Sequence, residues 1–203
     1  MPVDFFAVPC TTANGNCQTE QIKCLQTISN NAFGISDVEG KNNMPAKVTT
    51  IPDPETDFIV INDSNTPVVF KAVDWCVPIY RTGTYDLDDE NRVAAQFSTD
   101  SVFAHGVEPI KRCEGFLQYN NSVVFIEIKN RPGGRGWLKD AREKFEETVL
   151  SFREHHPALS NLIVKPIICN PSFSGYHQNE TIQLKILKDK VGLDFIRQNS
   201  ITI

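Results

Sequence analysis

Two apolar runs, residues 112–119 and 122–129, are separated only by Asn120 and Asn121, and no other feature restricts the fold of this chain as strongly. Runs so rich in Val, Ile, Phe and Tyr favour extended strands. Asparagine tolerates the left-handed backbone that a two-residue turn requires. The pair therefore predicts a β-hairpin, and the register follows from the turn: counting outward, Glu114 falls opposite Glu127. The second run is apolar on both faces up to Ile126, the pattern of a central strand covered on two sides, and then presents Glu127 and Lys129.

The segments around the hairpin predict an α/β (α+β) fold with a central mixed β-sheet and flanking helices. DFIVIND and VVFKAVDWCVPIY read as two strands around a short turn. A helix is expected from Trp137 to about His155, with Leu138, Ala141, Phe145, Thr148 and Phe152 along one stripe and Pro157 stopping it. NLIVKPIICN, residues 161–170, reads as a further buried strand, with Pro166 pointing to an edge position or a bulge. A short helix from Glu180 to Lys190, ended by Gly192, and a last strand, LDFIRQNSITI, follow. Upstream, Ile22, Leu25 and Ile28 recur at helical spacing and predict a helix from about Gln18 to Asn31.

At 203 residues, 40% of them hydrophobic, the chain can bury one substantial core. A single domain, 1–203, is expected, with 1–57 as a helical or irregular extension packed on a core of 58–203. No run approaches the roughly 20 apolar residues of a membrane helix, and the first residues lack the basic flank and apolar stretch of a secretory signal, so a cytoplasmic protein is expected. The six cysteines form no CxxC pair and no zinc-spaced cluster, and read as reduced packing residues.

The chemistry concentrates at the open end of the hairpin. Alternation along a strand puts Glu127 and Lys129 on one face and Ile128 on the other. Directly opposed side chains sit about 5 Å apart at Cβ, so Glu114 and Glu127 repel unless something neutralises them. A divalent cation would do so, and hard carboxylate oxygens suit magnesium or manganese rather than zinc. A net charge of -5 argues against a protein that coats nucleic acid. Locally the balance reverses: Lys129, Arg131, Arg135, Lys139, Arg142 and Lys144 face only Asp140 and Glu143 over the same span.

Glu114, then Glu127-Ile128-Lys129 at a strand end, then a helix carrying basic residues, resembles the PD-(D/E)XK phosphodiesterase superfamily, the restriction-endonuclease-like fold. The resemblance spans about residues 58–170 in its order of elements, and its motif is three residues. It implies a Mg2+- or Mn2+-dependent nuclease acting on DNA rather than RNA. Glu114 and Glu127 would be metal ligands, with the backbone carbonyl of Ile128 as a further one. Lys129 would orient the attacking water, and Glu114, Glu127 and Lys129 together would form the catalytic set. Glutamate at 114 stands where the family has aspartate, and no proline-aspartate pair precedes it.

Arg131, Arg135 and Lys139 would hold neighbouring phosphates. The alternation of charge from Lys139 to Lys144 is equally that of an ordinary solvated helix. Glu20 is the candidate acid from a first helix, Asp74, a polar residue in a buried run, is either a satisfied core group or a site member, and Trp137 could stack on a base. A second implied reading is a nuclease-fold protein without hydrolysis, serving as a binding or immunity module with a protein partner.

Overall fold

The computed structural model describes residues 3–7, 23–37, 44–53, 56–77, 79–82, 107–109, 111–130, 136–173 and 179–203. Within these, the strands are β1 (Leu25–Ile28), β2 (Ala32–Ser36), β3 (Lys47–Thr49), β4 (Phe58–Ile61), β5 (Val68–Ala72), β6 (Tyr80–Thr82), β7 (Val107–Pro109), β8 (Gly115–Tyr119) and β9 (Ser122–Ile128). Helix α1 (Trp137–His155) follows, then a 3-10 turn (Pro157–Leu162), β10 (Ile167–Cys169), α2 (Glu180–Val191), β11 (Ile196–Arg197) and β12 (Ser200–Thr202).

A six-stranded mixed sheet in the order β1-β5-β8-β9-β10-β11 forms the middle layer. β1, β5, β8 and β9 run antiparallel in succession, and β10 lies parallel to β9 after the α1 crossover. A four-stranded sheet, β12-β4-β2-β3, covers one face, and a β6-β7 ribbon completes the strands. The architecture is thus an α+β fold of mixed sheets and helices, as the sequence predicts.

Two buried clusters fill the gaps between layers, and β9 contributes to both. Val123 and Phe125 face α1, where they meet Phe116, Phe145, Val149 and Phe152. Val124, Ile126 and Ile128 face the smaller sheet and meet Phe33, Phe58 and Val60. Each such side chain, once fully buried, contributes about 1.5–3 kcal/mol. Parity then leaves Glu127 on the α1 side, in line with Val123 and Phe125.

The hairpin register is the expected one, from Tyr119 opposite Ser122 to Gly115 opposite Ile126, with Asn120 in the left-handed region at φ 49°. Gly115 has no alternative: an added Cβ would lie 2.5 Å from the Lys71 carbonyl oxygen and 2.9 Å from the Phe70 ring. α1 has the predicted limits. It closes with the His156 N–H donating to the Phe152 carbonyl, and Pro157 follows. α2 ends at Gly192, whose φ of 74° few other residues adopt cheaply.

Several expectations are corrected. Leu25–Ile28 is a strand, not part of a helix, because pairing with β5 outweighs a periodicity that three apolar residues leave ambiguous. Residues 18–22 of that expected helix, Glu20 among them, lie outside the described residues. The described parts of the 1–57 segment give strands to both sheets. β4 and β5 are not hairpin partners but belong to different sheets. Of residues 161–170 only Ile167–Cys169 is a strand, and it is interior, with Pro166 just before it rather than at an edge. The last predicted strand is two short ones, one in each main sheet.

Cys24, Cys76, Cys113 and Cys169 are buried. No described helix is long and apolar enough to cross a membrane.

Candidate active site

Glu127, the last polar residue on the α1 side of β9, is fully buried at 0% exposure. A carboxylate cannot stay charged there without partners, and the neighbouring elements supply them. The Glu114 backbone N–H, one step beyond the end of β8, donates to Glu127 Oε2 at 3.2 Å. Lys129 Nζ lies 2.6 Å from Glu127 Oε1, and Lys144 Nζ, reaching down from α1, lies 3.0 Å from the same oxygen. This buried oxygen is thus held by two ammonium groups at once.

Lys144 is the hub of the cluster. Its ammonium is also 3.3 Å from Glu114 Oε1 and 3.6 Å from Asp74 Oδ2. Asp74 follows β5 in a turn pinned beside the hairpin. Its own N–H donates to the Cys113 carbonyl, and the Val73 N–H donates to that of Glu114. Trp75, the next residue, adopts φ 61°, an outlier for a bulky side chain. Arg112 braces the turn, with Nε 3.4 Å from Asp74 Oδ1 and Nη1 donating to the Val77 carbonyl, and its guanidinium lies over the Trp75 ring.

Residues 111–114 are laced to α1 on the other side. The Lys111 N–H donates to Glu147, the Cys113 N–H donates to Thr148 Oγ1, and Lys111 Nζ pairs with Asp140 and Glu143. Asp140 in turn pairs with Lys129 at 2.9 Å.

Protonation follows from this crowding. Burial pushes the Glu114 carboxyl well above the usual range; Lys144 opposes the rise, while Glu127, Asp74 and Asp37 add to it. Burial works to lower Lys144, but Glu127, Glu114 and Asp74 outweigh it and hold its ammonium charged well beyond the usual lysine range. Lys129 is raised by a similar contest, burial against Glu127 and Asp140. At Asp140 burial is outweighed by Lys129, Lys111 and Lys144, which bring the carboxyl to about 2. Asp37, just past β2 in the smaller sheet, is raised by burial, with Lys144 opposing and Glu127 and Asp74 adding, so this acid also lies within the field of the site.

Glu114, Glu127 and Lys129 are therefore brought together, with Ile128 between them and its side chain buried on the opposite face. Asp74 joins them. Arg131 and Arg135 lie outside the described residues. Lys139 is 65% exposed on α1 and pairs with Glu143 one turn on. Arg142 and Lys144 do not form the outward basic face read from the sequence: Arg142 is buried against Glu146, Glu143 and Gln183, and Lys144 points into the acids. Trp137 is buried against Phe173 rather than free to stack on a base. Sequence reasoning missed Lys144 although a signal existed, since it shares a helix face with Trp137, Ala141 and Thr148 at spacings of three and four.

The donor set suits a hard divalent cation. Two buried carboxylates, Glu114 and Glu127, converge there from adjacent strands. Magnesium commonly takes only one or two protein carboxylates and completes its shell with water and phosphate. Among the described residues, no three Asp, Glu, His or Cys side chains converge as they stand to hold a metal ion. No protein-family model, curated protein or solved structure matches this chain.

Proposed function

We propose that the protein is a Mg2+- or Mn2+-dependent phosphodiesterase of nuclease type acting on DNA, with a core like that of the PD-(D/E)XK superfamily. The observation that carries this reading is the gathering of Glu114, Glu127 and Lys129 on one face at the open end of the β8-β9 hairpin. The order of elements supports it: hairpin, helix, then a strand parallel to the second hairpin strand. Glu114 and Glu127 would hold the ion, with the Ile128 carbonyl as a possible third oxygen.

The ion, when bound, supplies Lewis-acid charge to a phosphodiester whose oxygens gain negative charge in the transition state. The chain's residues do the rest. The Glu114 N–H fixes the rotamer of Glu127 and thereby aims the carboxylate. Lys129 keeps its ammonium charged at neutral pH and, held between Glu127 and Asp140, stands ready to orient water and to meet the developing charge. Lys139, exposed near the start of α1, would contact a flanking phosphate; Arg131 and Arg135 are candidates for the same role.

One observation favours the second reading, a binding or immunity module without hydrolysis. Lys129 and Lys144 already neutralise the acids that would otherwise demand a metal. Titrating Mg2+ or Mn2+ while assaying cleavage of plasmid and single-stranded DNA separates the two. Cation-dependent cutting that Lys129→Ala abolishes supports the nuclease, whereas folded protein that neither binds the cation nor cuts supports the binding module.

A further inference from the structure

Lys144 occupies the point between the three acids. Its ammonium lies within 3.6 Å of a carboxylate oxygen from each of Glu127, Glu114 and Asp74, contributed by three different stretches of chain. Lys129 differs: its ion pairs are with Glu127 at 2.6 Å and Asp140 at 2.9 Å, and none joins it to Glu114 or Asp74. Glu127 is fully buried, and its Oε1 lies 3.0 Å from this ammonium. An ion held by both Glu127 and Glu114 at about 2 Å from each would need the ground between the two carboxylates, which the Lys144 ammonium occupies at 3.0 and 3.3 Å.

We propose that Lys144 is the resident counter-ion of the acidic pocket and that a divalent cation enters only by displacing its ammonium, which makes Lys144 an internal competitor of the metal. The inference rests on the metal-dependent reading above. It assigns a role to a residue outside the Glu114, Glu127 and Lys129 set. The lysine side chain has the means to leave: it is 16% exposed, its stem is flexible, and Glu143 and Glu147 lie on either side of it along α1. The metal-free pocket is thereby kept neutral enough to fold, and cation affinity is set below what the bare carboxylates would give.

Two measurements test this with Mn2+ alone as the probe. In the wild-type protein, amine acetylation read by mass spectrometry should rise severalfold at Lys144 when Mn2+ saturates, with Lys139 unchanged and Glu127→Gln abolishing the rise. Calorimetric Mn2+ binding that depends on Glu127 while Lys144 stays protected overturns the displacement and leaves the metal reading intact. No Mn2+ binding at all overturns both.

Second, any cation lost near the pocket tightens metal binding through charge alone, so Lys129→Gln serves as the reference. Lys144→Gln should bind Mn2+ at least about tenfold more tightly than Lys129→Gln. Equal affinities overturn the proposal, and if Lys144→Gln does not fold, the wild-type labelling decides.

Discussion

Truncating Lys144 to methionine keeps much of the stem and removes the charge. The three contacts at 3.0, 3.3 and 3.6 Å would each be worth about 5 kcal/mol of gross attraction at an effective dielectric of about 20. Most of that is offset by the cost of burying the ammonium. The net loss on removing one side of a buried pair is about 3–5 kcal/mol, because the remaining charges stay behind without compensation. That loss should depend on pH. Glu114, already raised by burial, rises further when its one opposing cation is gone. A carboxyl raised above its unfolded value contributes stability below the unfolded pKa and loses it as pH climbs through the folded one. The gap between wild type and Lys144→Met is therefore narrow near pH 5 and wide near pH 8. Urea unfolding followed by far-ultraviolet circular dichroism at both pH values measures it. A variant as stable as wild type at pH 8, or one equally weakened at both, would refute the account of Lys144 as the charge that holds these acids.

Other outcomes follow from the same contacts. Gly115→Ala should cost about 1–3 kcal/mol in chemical denaturation, since its methyl group must displace the Lys71 carbonyl or the Phe70 ring, and it should disturb Glu114 next door. Phe152→Ala should cost about 3–5 kcal/mol, because that ring contacts Phe5, Phe116 and Phe125 at once; a calorimetric melting point within a few degrees of wild type would contradict this. Asp140, with its carboxyl at about 2, adds stability above its unfolded value of 3.8 and loses it as pH falls toward 2. Asp140→Asn should therefore weaken the fold at pH 7 by under about 1 kcal/mol, given its solvent screening, and leave it unchanged at pH 2.

How much of this was legible in the sequence depended on how local the signal was. The hairpin could be read because two strand-favouring runs and a turn of two asparagines fix strand, turn and register within residues 112–129. α1 could be read because its buried stripe and Pro157 mark its face and its end. β1 could not: only its pairing with Lys71, Phe70, Val69 and Val68, 40 to 46 positions away, makes it a strand. The site divides in the same way. Glu114, Glu127 and Lys129 belong to one hairpin and were found together. Asp37 and Asp74 reach the site from other strand ends, which no spacing reveals. Lys144 lay in a run of alternating charges that resembles a solvated helix, and only its place on the apolar stripe betrays that it turns inward.

β9 serves two masters at every second residue, and this constrains how such a protein can change. Its odd positions run from the aromatic packing under α1 to Glu127, while its even positions lock into the opposite sheet. Gaining or losing a single residue within Ser122–Ile128 would swap the two sets, driving a carboxylate among Phe33, Phe58 and Val60 and turning Ile128 toward Lys144. The strand can thus be edited letter by letter but never shifted in frame, and the acidic pocket and the hydrophobic interior must be inherited as one unit.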